Sequence, residues 1–342
     1  MKRITLILSL LLIPFYMMAQ GGDAEKINQW IETYNDLVEQ KDWSSIIAQQ
    51  GRTKSELPEW DVVYYYVGFA SYNLKDYEDA IMNFSIFLDM NKEGDGEKQD
   101  MIKSSLMSRA DANLQLNQYS SSIKDYNDYL KLSPNDVSAI LGKANVYLAA
   151  NDLENYIEEI SAIINLEPSN QNYISNRAGA YANLKRWDLA IEDYTKLIEL
   201  DAKNVDYYSN RAFANYSKDS EESLRAAIQD YNKVIELGVE TAQIYNSLAV
   251  LNNKIKDYAE SVKAFDMLLE LRGGNDINIL YQRGTAKFLN KDYEASIEDF
   301  DKVIEEKPDH INALKRRATA KTRIGDKEGA QEDAIKIKEL EG

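Results

Sequence analysis

A 34-residue word recurs along this chain, and its clearest copy runs from Gln171 to Asn204, QNYISNRAGAYANLKRWDLAIEDYTKLIELDAKN. In its first half Ile174, Ala178 and Tyr181 fall at helical spacing. In its second half Ala190, Tyr194 and Leu197 do the same, with Trp187 at the joint. The pattern predicts two amphipathic helices joined by a tight turn. Neither helix can bury its apolar stripe alone, so such a unit needs neighbours, and here the neighbours are copies of itself.

Counting Gln171 as repeat position 1, the small residue of position 8 returns as Gly68, Ala110, Ala144, Ala212, Ala249, Gly284 and Ala318. Position 20 returns as Ala80, Ala227 and Ala330, or as Ser122, Ser261 and Ser296. The aromatic of position 24 returns as Phe84, Tyr126, Tyr231, Phe265 and Phe300, and position 32 carries Pro134, Pro168 and Pro308. Small side chains at 8 and 20 predict that the two helices of a unit approach closely there. This pattern at this period resembles the tetratricopeptide repeat. The resemblance implies an all-α fold: a right-handed solenoid of antiparallel helix pairs, about eight repeats behind an atypical N-terminal helical hairpin.

Composition removes several function classes. The chain has no cysteine, which excludes disulfides, thiolate metal sites and cysteine nucleophiles. A single histidine, His310, excludes a multi-histidine metal site and a histidine-based triad. A formal charge of −17 repels nucleic-acid backbones and anionic lipid surfaces. No phosphate loop, metal cluster or isolated acid pair stands out, so neither an enzyme nor a cofactor is expected.

Residues 1–19, MKRITLILSLLLIPFYMMA, have the basic start, apolar run and small-residue ending of a secretory leader. Cleavage after Ala19 is expected, leaving Gln20 as the first residue of an exported, periplasmic or otherwise extracytoplasmic protein with no membrane span. Loss of Lys2 and Arg3 leaves 38 basic against 57 acidic residues, a charge of −19. Residues 20–60 read as a capping hairpin, with Tyr34 in place of the small residue and Pro58 ending its second helix. The array fills 61–342, its units starting at Asp61, Lys103, Val137, Gln171, Val205, Ala242, Ile277 and Ile311. Longer connections are expected at Asn91–Ile102, within Ser217–Arg225, and at Arg272–Asp276.

Position 7 is Arg109, Arg177, Arg211, Arg283 and Arg317 in five units, and position 23 of the same units is Asp125, Asp193, Asp230, Asp299 and Asp333. The third unit has Lys143 with Glu159; the sixth has Leu248 with Ala264. Charges that appear and vanish together inside one chain predict that positions 7 and 23 touch across the hairpin, a structural pairing that sets helix register.

In tetratricopeptide arrays the first helices line a concave groove, and the resemblance places Tyr65, Phe69, Tyr72, Met107, Leu141, Phe213, Tyr281 and Phe288 on it. For Tyr65 and Phe69, packing against the N-terminal cap is an equal reading. Asn176 and Asn210, both at position 6, are of the type that grips an extended peptide backbone. Asn145 and Asn176 fit two places of the family's clamp for a terminal carboxylate. Leu141 stands where the clamp needs lysine, and Asp206 and Asn210 replace its basic pair, so no carboxylate-tail binding is expected. The reading is a non-enzymatic scaffold that binds a protein or peptide in its groove, and the negative charge would attract a basic partner. A self-assembling envelope protein and a glycan-binding module stand as alternatives; oligomeric state and partner stay open.

Overall fold

The computed structural model describes residues 23–92 and 96–342, so the expected leader lies outside the described residues. The described residues form 18 α-helices and no strand, and they divide into two compact units at Tyr173/Ile174.

The first compact unit holds α1 (Ala24–Glu39) with α2 (Trp43–Glu56), α3 (Val62–Asn73) with α4 (Tyr77–Met90), α5 (Gln99–Gln115) with α6 (Tyr119–Leu132), and α7 (Val137–Ala149) with α8 (Leu153–Leu166). Its N-terminal core is aromatic. Tyr34, fully buried on α1, stacks on Tyr66 of α3 with centroids 4.8 Å apart, and its hydroxyl shares a 2.9 Å hydrogen bond with Thr53. The atypical hairpin therefore closes the array with a large ring where other hairpins use alanine or glycine.

The second compact unit starts inside α9 (Gln171–Asn183), which pairs with α10 (Trp187–Leu200). It continues with α11 (Val205–Lys218) and α12 (Glu221–Glu236), then α13 (Ala242–Lys254) and α14 (Tyr258–Leu271). The last pairs are α15 (Ile277–Leu289) with α16 (Tyr293–Glu306), and α17 (Ile311–Ile324) with α18 (Lys327–Glu341). Apolar residues from α11 to α17, among them Tyr208, Phe265, Leu280 and Phe300, form one continuous core.

One device makes every hairpin turn. A residue one or two places past the end of each first helix is left-handed: Lys41, Lys75, Asn117, Asn151, Lys185, Asp219, Lys256 and Lys291 have φ between 56° and 67°, and Gly325 has 88°. That conformation reverses the chain and lets backbone N–H groups beyond the helix reach its last carbonyls, as Asp76 N–H does to Ser71 at 2.9 Å. The next residue is usually aspartate, which starts the second helix by accepting from the third backbone N–H, as Asp76 does from Asp79 (3.1 Å) and Asp152 from Asn155 (3.2 Å).

Close approach at position 8 is real. A Cβ on Gly68 would stand 2.9 Å from the Phe84 ring, and one on Gly284 would stand 3.0 Å from Asp299 Cβ and from the Phe300 ring.

Two of the expected long connections are organised differently. α5 begins at Gln99, four residues before the expected Lys103, after a 3-10 turn at Gly96–Lys98. Lys98 donates to both Asp61 oxygens at 2.8 and 2.9 Å, and Asn91 also donates to Asp61, so the link is tied back to the start of α3. The extra residues near Ser217–Arg225 make helix rather than loop. α11 runs to Lys218, and α12 has 16 residues with Ser220 and Ser223 capping its start reciprocally. At the third connection, Gly273 and Gly274 both have positive φ and end α14.

Candidate partner surface and the arginine bridges

In the first compact unit the groove expectation is corrected at two residues. Tyr65 is 1% exposed, its ring packed at 5.7 Å from both Tyr66 and Phe87 and its hydroxyl directed at Ser104. Phe69 is 4% exposed and meets the Trp43 ring edge-on. The bulky capping hairpin covers this end of α3, so both side chains are core and offer nothing to a partner. Tyr72 is half-buried against Tyr77, and burial, with the Asp111 carboxylate nearby, pushes its phenol up. Met107 and Leu141 are half-buried, while Asn145 is exposed.

A buried carboxylate sits beside these residues. Tyr126 donates to Asp111 at 2.5 Å, in space kept open by Gly142, where a Cβ would collide with the Tyr126 hydroxyl. Burial raises the Asp111 carboxyl above its ordinary value, the Tyr126 bond opposing that in part.

In the second compact unit the candidates divide. Tyr281 is half-buried between Phe300 and His310, and its hydroxyl accepts from Arg316 at 3.2 Å. Phe288 leans edge-on against Tyr293. His310 itself caps α17, its Nδ1 accepting from the Ala313 N–H at 3.1 Å. Asn176 and Asn210 are exposed, and Phe213 is 55% exposed. Asn210 and Phe213 lie three apart on one face of α11, and the Phe213 ring stands edge-on to Trp187 at 6.2 Å. Sequence reasoning had placed Trp187 only at the joint of its unit. The recurrence of large rings at the start of second helices was the available signal that it shapes this surface.

Every expected position 7/23 pair is formed. Arg109 donates through Nε and Nη2 to the two oxygens of Asp125 at 2.9 and 2.6 Å. Arg177–Asp193, Arg211–Asp230, Arg283–Asp299 and Arg317–Asp333 repeat this two-pronged geometry, and Lys143–Glu159 makes a single 2.7 Å contact. The aspartates are 1–4% exposed. The bond to aspartate holds the Arg177 and Arg211 guanidiniums above their usual value.

A further contact was not legible in the sequence. The remaining arm of the arginine reaches position 25 of the preceding pair: Arg109 to Ser85 (2.8 Å), Arg211 to Thr195 (3.0 Å), Arg283 to Asp266 (2.7 Å) and Arg317 to Asp301 (2.6 Å). Each such arginine thus bridges its own second helix and the one before it. At α13–α14 no bridge exists, because Leu248 and Ala264 occupy the two positions and join the apolar core.

Among the described residues no group of His, Cys, Asp and Glu could hold a metal ion, and no helix is long and apolar enough to cross a membrane.

The tetratricopeptide repeat family model matches three segments of the chain, residues 104–136, 173–204 and 277–310. Among solved structures, the C-terminal part of a TPR repeat-containing protein from Cytophaga hutchinsonii is similar over 72% of this chain and 96% of its own, at 16% identity and a TM-score of 0.50. A tetratricopeptide repeat protein from Parabacteroides merdae matches 70% of this chain and 93% of its own at 17% identity and a TM-score of 0.42. YrrB, described as a TPR protein with an unusual peptide-binding site, matches 53% of this chain and 91% of its own at 19% identity and a TM-score of 0.44. The helix pairs are those of an all-α tetratricopeptide solenoid, and at these identities the likeness is one of fold.

Proposed function

We propose that the protein is an exported, non-enzymatic scaffold that binds a peptide or partner protein in the groove lined by its first helices. The observation that carries this reading is Phe213, an aromatic ring left more than half exposed while Trp187 supports its edge. An exposed, braced ring is a suitable anchor. Asn210 stands beside it and Asn176 occupies the same repeat position one unit earlier; an amide can donate and accept at once along an extended backbone. The acidic surface favours a basic partner.

The test compares the wild-type chain with the triple variant Asn176→Ala, Asn210→Ala, Phe213→Ala. A partner captured from an envelope extract and then purified should bind the variant at least about tenfold more weakly, the loss of about 1.4 kcal/mol or more that removal of an anchor residue brings. Equal binding by a variant with unchanged helical signal would move recognition elsewhere. Export is checked separately: the intact mass of the protein recovered from cells should correspond to a chain starting at Gln20.

A further inference from the structure

The fold gives its buried aspartates a cation. Lys98 holds Asp61, and an arginine holds each of Asp125, Asp193, Asp230, Asp299 and Asp333. Asp111 breaks this rule. It lies well inside α5, recessed and only partly open to solvent, and its one hydrogen bond among the described residues comes from Tyr126 at 2.5 Å. No lysine or arginine of the described residues pairs with it. The N–H groups around it are already bonded within the helix, so the backbone offers it nothing either.

The neighbours are specific to this place. Gly142 of α7 has no side chain where a Cβ would collide with the Tyr126 hydroxyl, so the phenol can stand against Asp111. In the pair α11–α12 the equivalent Tyr231 bonds instead to Ser247, which holds the repeat position of Gly142. Tyr72 of α3 is close enough for the Asp111 carboxylate to act on its phenol. Asp111 occupies repeat position 9, one of the positions expected to face the groove. Across positions 2, 5, 9 and 12 of the array the other acid is Asp206, which is exposed in the first turn of α11, where a helix N-terminus favours an anion.

The chemistry of the site selects its ligand. The Tyr126 proton is committed to Asp111, so the hydroxyl oxygen and the carboxylate together present acceptors, and an incoming group must donate. Burial raises the Asp111 carboxyl above its ordinary value, the mark of a charge held away from water with too few partners. A neutral donor leaves that charge uncompensated. A cation donates and neutralises at once, as the arginines do at the other aspartates. Phenol rings alongside add to the attraction for positive charge. We propose that Asp111, flanked by Tyr72 and Tyr126, is the groove's receptor for one lysine or arginine side chain of a bound peptide. This inference rests on the groove reading above and adds to it the charge of one partner residue.

The probe is a set of short surface-bound peptides whose central residue is lysine, arginine, norleucine or citrulline, every other position being a mixture of uncharged residues. Norleucine and citrulline approximate the length of lysine and arginine without the charge. In about 0.15 M salt, which screens the diffuse charge of the chain, the wild type should bind the lysine and arginine peptides at least about tenfold more tightly than their uncharged counterparts, a difference of about 1.4 kcal/mol. Asp111→Asn still accepts from Tyr126 and should lose that preference while keeping its helical signal. Asp100→Asn removes an exposed charge from the same helix and should keep the preference. The proposal is overturned if charged and uncharged peptides bind alike, if Asp111→Asn retains the preference, or if Asp100→Asn loses it as fully, which would make diffuse charge the cause. The comparison of peptides on the wild type decides the matter even if Asp111→Asn misfolds. Butylamine, a free alkylammonium, is titrated as a competitor; binding as tight as that of the lysine peptides would make a small amine the ligand and overturn the peptide assignment. Binding of every peptide set alike would leave the groove reading standing without this one. Binding of none would overturn this proposal, with the partner-capture test deciding the groove reading by itself.

Discussion

The pairs α11–α12 and α13–α14 are neighbours in one array, yet they hold together by different means. In the first, Arg211 grips Asp230 with two bonds and reaches Thr195 with a third. In the second, Leu248 and Ala264 pack in the apolar core and no charge crosses the hairpin. Helix pairing of this kind therefore does not require the ion pair. A buried salt bridge contributes little net stability over an apolar contact of similar shape, because desolvation consumes most of the attraction. What the arginine adds is a fixed register and a filled gap between successive second helices. Where it is absent, a cleft lies between α12 and α14.

The sharpest way to break this comparison is to remove one partner only. Arg211→Ala leaves the Asp230 carboxylate buried at 4% exposure without its cation, and should destabilise the chain by about 3–5 kcal/mol, read from urea unfolding. The position 8 contact comes next. Gly284→Ala puts a Cβ 3.0 Å from Asp299 and Phe300 and should cost about 1–3 kcal/mol, whereas α13 already carries Ala249 at that position. The double change Arg211→Leu with Asp230→Ala copies the α13–α14 solution. It should fall within about 1 kcal/mol of wild type, far from the sum of its single changes, and a double-mutant cycle measures the difference.

The smallest effect concerns a buried carboxylate that has a phenol in place of an arginine. Burial raises the folded-state value of Asp111 above the ordinary 3.8. Its contribution to stability is therefore fully present below the unfolded value and is lost as pH rises through the folded one. Asp111→Asn, which still accepts from Tyr126, should remove that dependence and leave stability at neutral pH equal to or above that of wild type. Thermal midpoints of both proteins across a pH series that starts below 3.8 check it.

Much of the fold is legible in the sequence, because a repeat states its rules several times. Gly68 and Gly284 stand where alanine stands in other copies, and the structure shows both glycines against a ring of the partner helix. Arginine at 7 and aspartate at 23 come and go together, and each pair is bonded. The candidate surface was harder to read. Tyr65 and Phe69 occupy groove positions by number, but the large rings of the capping hairpin cover them. A repeat pattern describes the average neighbour, and at the end of an array the neighbour is not average.

The chain's sequence by itself determined the period, the hairpins, the close contacts of small residues and the partners of the charge pairs. All of these are local or lie within one hairpin, where spacing along the chain specifies distance in space. Only the tertiary structure decided which groove residues are core, that the arginine's third arm reaches the preceding second helix, and that a cleft lies between α12 and α14 where that arginine is missing. Those outcomes depend on how successive hairpins stack, and contacts between elements tens of residues apart have no fixed spacing in the sequence to announce them.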